Sequence, residues 1–118
     1  MYPGIDMIEI ERVARALERQ PRLLERLFTM REREYLKGKA IQSYAARFAG
    51  KEAILKTLGT GLRGLSWHDI EIMAAPSGEP LVFLSSRAMV QVQVRGGSLV
   101  RVSLTHNRTQ AMAFAILS

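Results

Sequence analysis

An α+β fold, with helices packed on an antiparallel sheet, is what this sequence predicts, and three features point to it. Apolar residues recur at helical spacing from Ile10 to Leu58; beyond Leu58 the chain changes to short apolar runs separated by Pro, Gly and Asn; and its last two runs, Leu99 to Thr105 and Gln110 to Leu117, flank a short polar turn as an antiparallel hairpin does. With 118 residues, 47% of them apolar and 24% charged, there is material for one core. Residues 1–118 are therefore read as a single domain, and a large cleft is expected to need another copy of the chain.

The first strand is expected from Ile5 to Ile8, after a Pro3-Gly4 turn, with Asp6 as a carboxylate inside an apolar run. Ile10, Val13, Ala14 and Leu17 then predict a helix that Pro21 ends or kinks, and Leu24, Leu27 and Phe28 resume its apolar stripe. Thr29 and Glu32 have the spacing of a capping box, so a short helix starts near Met30 and runs to about Gly38. Tyr44, Ala45, Phe48, Ala49, Ala53 and Leu55 support a long helix from Ile41 to Leu58, closed by Gly59 as a left-handed cap. Strands follow at Asp69 to Met73 and Leu81 to Leu84, joined by the turn Pro76-Ser77-Gly78-Glu79-Pro80. For Ser85 to Val94 the serine favours a capped helix and the alternating valines a strand; the helix is chosen. His106 to Thr109 is the turn of the final hairpin.

Composition excludes several functions. The chain has no cysteine, which removes disulfides, thiolate catalysis and Cys-ligated zinc and fits a reducing cytoplasm. Asp6 and Glu9 sit where a signal peptide would be apolar, and no run approaches the roughly 20 apolar residues of a membrane span. A soluble, cytoplasmic protein is expected. A net charge of +6 is compatible with an acidic partner without saying which: nucleic acid, anionic membrane, phosphorylated metabolite or acidic protein.

Two constellations carry chemistry. In Arg47-Phe48-Ala49-Gly50-Lys51-Glu52-Ala53-Ile54-Leu55-Lys56, Glu52 and Lys56 are one helical turn apart on the same face; a surface ion pair is the plain alternative. Ala49, Gly50 and Ala53 nearby leave room for a close approach, and a glycine inside a helix costs about 1 kcal/mol relative to alanine. Asp6 and Glu52 together offer two hard oxygen donors with no softer ligand, a set suited to Mg²⁺ shared with substrate phosphates, and a lysine beside them suits phosphoryl transfer. The Gly59-Thr60-Gly61 loop could bring backbone close to a nucleotide, or be no more than a helix stop, and His106 could reach a bound anion. Separately, Arg12, Arg15, Arg19, Arg22 and Arg26 fall within an arc of about 80° opposite Val13, Leu17 and Leu24. Glu11 and Glu18 stand four residues before Arg15 and Arg22, so local ion pairs would neutralise part of that ridge.

Gly4-Ile5-Asp6 with Arg12, Arg47-Phe48 with Lys51-Glu52-Ala53 and Lys56, Leu58-Gly59-Thr60-Gly61, and Ser103-Leu104-Thr105-His106, in this order and spacing, resemble the holo-acyl-carrier-protein synthase group of 4′-phosphopantetheinyl transferases over nearly the whole chain. The resemblance implies that group's fold and a role in fatty acid biosynthesis. It also implies Asp6 and Glu52 on Mg²⁺ at the pyrophosphate of coenzyme A, with Lys56 beside the phosphate transferred to a serine of an apo-acyl carrier protein and adenosine 3′,5′-bisphosphate released. The serine proton would go to Glu52 or to a water on the metal. Arg47, Lys56, Gly59, Thr60, Gly61 and His106 would hold coenzyme A, and Arg12, Arg19 and Arg22 would dock the acidic carrier. Relatives of this length form trimers with sites between subunits. Two positions depart from the pattern: Asn107 stands where some relatives are acidic, and Glu79 where a basic residue is common.

The competing reading, a basic nucleic-acid-binding module, is disfavoured by an aromatic content of only 7% and by a ridge with no Asn, Gln or aromatic reader except Gln20. A third, an inert interaction subunit, predicts no metal dependence. Neither nucleic acid nor membrane is the expected partner.

Overall fold

The structure, a computed structural model, describes residues 1–118. Its elements are β1 (Tyr2–Glu9), α1 (Ile10–Arg19), α2 (Leu23–Leu27), α3 (Met30–Leu36), α4 (Ile41–Leu58), a 3-10 turn (Trp67–Asp69), β2 (Ile70–Ala74), β3 (Pro80–Leu84), α5 (Ser86–Val94), β4 (Val100–His106) and β5 (Gln110–Leu117). The strands form a three-stranded antiparallel sheet in the order β1-β5-β4 and a separate β2-β3 hairpin. The α+β reading holds.

Local sequence accounts for most boundaries. Thr29 Oγ1 accepts from Glu32 N (3.2 Å) while Glu32 Oε1 accepts from Thr29 N (2.9 Å), closing the capping box at the start of α3. Ser85 Oγ accepts from Ala88 N (3.2 Å), which decides the ambiguous valine segment in favour of helix α5. Gly59 takes φ +79° at the end of α4, a conformation costly for any residue with a Cβ.

The expected edges shift in several places. β1 begins at Tyr2, not Ile5: Pro3 is tolerated because β1 is an edge strand, and Gly4 is needed there because α4 comes too close for a side chain. Asp69 lies in the 3-10 turn, where its carboxylate caps Ser66 N (2.7 Å) and pairs with Arg87 (2.7 Å). Pro80 is the first residue of β3, and His106 the last of β4. Gln20 to Arg22 break the basic helix, so Arg22 lies outside α1 and the expected Glu18–Arg22 pair does not form; Arg15 does pair with Glu11 (3.3 Å, exposed).

Helix α4 lies across one face of the three-stranded sheet and is buried nearly all round. Small residues make this possible. Ala111, Ala113 and Ala115 of β5 and Ala45, Ala49 and Ala53 of α4 are all buried, so backbones approach closely and a larger core of Ile54, Leu58, Ile70, Ile72, Val92 and Leu117 closes around them. The approach at Gly50 is made by the core side chains Ile72 and Leu104, which a Cβ there would meet, rather than by a ligand.

Lys51, one residue before Glu52, is fully buried. Its Nζ donates to Glu32 Oε1 (2.6 Å), Leu27 O (2.8 Å) and Trp67 O (3.1 Å), and Glu32 Oε2 accepts from Ile72 N (2.8 Å). Burial pushes the Lys51 ammonium down from its ordinary value, and Glu32 opposes that. This cluster ties α2, α3, α4 and β2 together. Lys51→Met, which leaves Glu32 uncompensated, should lower the unfolding free energy by about 3–5 kcal/mol in urea denaturation, and Lys51→Met/Glu32→Leu should recover only part of the loss, because Ile72 N, Leu27 O and Trp67 O then stay unpaired.

Candidate active site

Strand β1 and helix α4 build the first half of the site. Gly4, Asp6 and Ile8 share the strand face turned toward α4, and a Cβ at Gly4 would collide with the carbonyl oxygen of Ala53. That contact sets Asp6 beside the last turns of the helix. Lys56 Nζ donates to Ile5 O (2.7 Å) and Asp6 Oδ1 (3.2 Å). The plain alternative of a Glu52–Lys56 ion pair is not formed: Glu52 is in none of the chain's ion pairs.

Glu52 is half-buried, and desolvation pushes its carboxyl up from the usual range; the Asp6 carboxylate adds to this and Lys56 partly offsets it. The two carboxylates and the one ammonium leave a formal charge of −1 at this spot when all are ionised. No third His, Cys, Asp or Glu completes a metal-binding cluster. The donor set thus fits a hard divalent ion whose remaining ligands are water and phosphate oxygens, and does not fit a softer metal in an all-protein cage. Glu52 and Lys56 line a hollow with Leu55, Gly59, Gly61, Leu62 and Trp67. Thr60 does not line it; its hydroxyl donates to Gly61 O (3.2 Å).

Arg47 and His106 meet elsewhere. Arg47 precedes Glu52 by five residues, about 140° round a helix, so the two cannot face one hollow within a chain. The Arg47 guanidinium sits 4.6 Å from the centroid of the Tyr35 ring, and the residue is 7% exposed with Nε lacking any partner. With His106, Thr105, Tyr35, Ser43 and Gly78 it lines a second hollow that an anion would suit. Tyr35 and Trp67, one in each hollow, are not among the residues the sequence singles out; Trp67 is the chain's one tryptophan, which is the available signal.

Arg12, Arg19 and Arg22 are exposed and in none of the ion pairs. Arg12 also borders an apolar hollow formed by Ile8, Val13, Ala16, Leu23, Leu27 and Phe48. Asn107, one of the departures, serves the backbone, since its Oδ1 accepts from Thr109 N (2.9 Å) and Gln110 N (2.8 Å) and so closes the β4–β5 turn. Glu79 lies exposed in the β2–β3 turn, its carbonyl bonded to Ala75 N (2.9 Å). No helix is long and apolar enough to cross a membrane.

Residues 2–115 match the family model of the 4′-phosphopantetheinyl transferase superfamily. The chain is 47% identical over 116 residues to the holo-[acyl-carrier-protein] synthase of Desulforudis audaxviator, covering 96% of this chain and 88% of the relative. It is 47% identical over 118 residues to that of Geobacter metallireducens, covering 97% and 94%. Among solved structures, the Helicobacter pylori holo-[acyl-carrier-protein] synthase in complex with coenzyme A superposes with a TM-score of 0.87 at 32% identity, covering 98% of this chain and 99% of that one. The Neisseria meningitidis enzyme gives 0.90 at 28% identity, covering 99% and 97%.

A carboxyl with a raised pKa holds its proton more tightly folded than unfolded, so its ionisation costs stability as pH rises from the ordinary glutamate value through the raised one. Glu52→Gln should therefore melt above the parent at neutral pH and converge with it below the ordinary glutamate range, as read by calorimetry. A variant that melts lower at neutral pH would contradict the desolvation and Asp6 repulsion assigned to Glu52.

Proposed function

Because the chain belongs to the 4′-phosphopantetheinyl transferase superfamily, we propose that the hollow beside Glu52 and Lys56 is where coenzyme A gives up its phosphopantetheine arm. The activity is that of a holo-[acyl-carrier-protein] synthase: the 4′-phosphopantetheine of coenzyme A is transferred to a serine of an apo-acyl carrier protein, adenosine 3′,5′-bisphosphate is released, and fatty acid biosynthesis is served. The observation that carries the residue assignment is that Asp6, from a distant segment, meets Lys56 and acts on Glu52, and that Glu52 and Lys56 line one hollow with Gly59 and Gly61.

Asp6 and Glu52 would hold Mg²⁺, which when bound supplies neutralisation of the pyrophosphate oxygens. Lys56, now resting on Asp6, swings to the phosphate that is transferred and balances its charge. The serine oxygen bonds to phosphorus as the phosphoanhydride bond breaks, and its proton passes to Glu52 or to a water beside it. Gly59, Thr60 and Gly61 let backbone approach the diphosphate. Arg47, with its unpartnered Nε, and His106 grip the anionic nucleotide end. Arg12, Arg19 and Arg22 dock the acidic carrier and speed encounter at low salt.

The two halves of this site lie on different sides of one chain, and a homotrimer would join them. In support, the face of the sheet turned away from α4 is apolar and open: Ile5 and Met7 are each 54% exposed and Phe114 43%. A partner subunit seated there would cover this face, and the reading requires that it present its Arg47 hollow to Glu52. Residues 1–118 then act as one transferase domain, in the cytoplasm.

With Mg²⁺, coenzyme A and a type II apo-carrier, mass spectrometry should show the carrier gaining the phosphopantetheine mass, and Glu52→Gln should slow the gain by about 100-fold or more. No gain with the parent, or an undiminished rate in the variant, would refute the assignment. Lys56→Ala and Arg47→Gln should each be nearly inactive alone, whereas trimers assembled from an equal mixture should recover about a quarter of parent activity, since one pairing in four joins two intact halves. Recovery absent from verified mixed trimers would place each site within one subunit.

A further inference from the structure

Arg95, at the C-terminal end of α5, has no place in the chemistry above, yet its guanidinium reaches the end of α4. Nη1 donates to Thr57 O (3.0 Å), and the guanidinium carbon lies 4.1 Å from the centroid of the Tyr2 ring at the start of β1. One turn earlier on α5, Gln91 Nε2 donates to Leu58 O (2.9 Å). Two successive carbonyls that a helix end leaves without intrahelical partners are thus each bonded by α5, and a cation rests at the negative end of the α4 dipole. Arg95 is in none of the ion pairs, so this is where its charge acts.

The consequence falls on the loop after α4. Gly59 is a glycine because of its φ of +79°, and the Arg95 guanidinium packs over it where a Cβ would stand. Gly59 and Gly61 line the hollow with Glu52 and Lys56. Gly61, at φ +59°, has nothing within 4 Å of where its Cβ would be. The segment that faces the ligand is therefore open at Gly61 and covered at Gly59 by Arg95, which is itself bonded to Thr57 O.

We propose that Arg95 is a positioning residue for coenzyme A binding, holding the start of the Gly59–Gly61 loop, through Thr57 O and against Tyr2, in the path that lets its backbone meet the phosphates. This rests on the reading of that loop as a coenzyme A contact. The bond and the stacking are what matter here, not the charge alone, because lysine lacks the planar donor fork.

Steady-state kinetics with coenzyme A and carrier varied separately test it, each variant first checked by its melting curve. Arg95→Ala should raise KM for coenzyme A about tenfold, with kcat and the carrier KM within about twofold of the parent, and Arg95→Lys should shift KM in the same direction. Gly61→Val, which strains the loop directly, should also raise KM for coenzyme A. If Gly61→Val raises it and Arg95→Ala does not, the positioning role is wrong while the loop reading stands. If Gly61→Val leaves it unchanged, the loop reading fails and this inference with it. Restoration of parent KM by Arg95→Lys, or a fall in kcat and rise in both KM values in step with lost thermal stability, would also overturn the proposal.

Discussion

Where β1 crosses α4, the backbone at Gly4 lies against the Ala53 carbonyl and the Thr57 methyl with no room for a side chain between them. Asp6, two residues along the same strand face, is thereby brought to Lys56 and within electrostatic reach of Glu52. The buried alanines of β5 serve the same end, because β1 can lie so close to the helix only if its sheet partner does. Small residues at this crossing are the condition for placing two carboxylates and an ammonium at one spot.

Adjacent residues of α4 then divide stability from function. Lys51 points inward, is completely buried and has its three donor hydrogens matched by Glu32, Leu27 and Trp67. Glu52 points outward, is half-buried and has no ion-pair partner, and its carboxyl is pushed up by desolvation and by Asp6. The satisfied charge ties down the helix next to the unsatisfied one. Arg95 extends this support to the end of the helix, where the Gly59–Gly61 loop begins.

What is legible in the sequence is local. The bounds of α4, the left-handed Gly59, the Thr29–Glu32 box and the Ser85 cap each depend on residues within a turn of one another. What is not legible depends on distant partners. Lys51 looks like one more charge in a charged run until Glu32, nineteen residues away, is seen beside it. Gly50 suggests room for a ligand, but Ile72 and Leu104 fill that room. Pro3-Gly4 has the composition of a turn because nothing local says that β1 is an edge strand paired with the end of the chain. Asp6, Glu52 and Lys56 stand out through their chemistry and through resemblance, and the structure brings them together; the separation of Arg47 from Glu52 is already present in their spacing of five.

The decisive measurement is the transfer rate of Gly4→Ala, with Gly50→Ala as a control that crowds the same helix through flexible core side chains instead of backbone. If the β1–α4 contact sets the site, Gly4→Ala should remain folded and lose about 100-fold in rate as Asp6 is displaced from Glu52 and Lys56, while Gly50→Ala stays within about tenfold of the parent. A folded Gly4→Ala protein that transfers at the parent rate would contradict the dependence of the site on that contact.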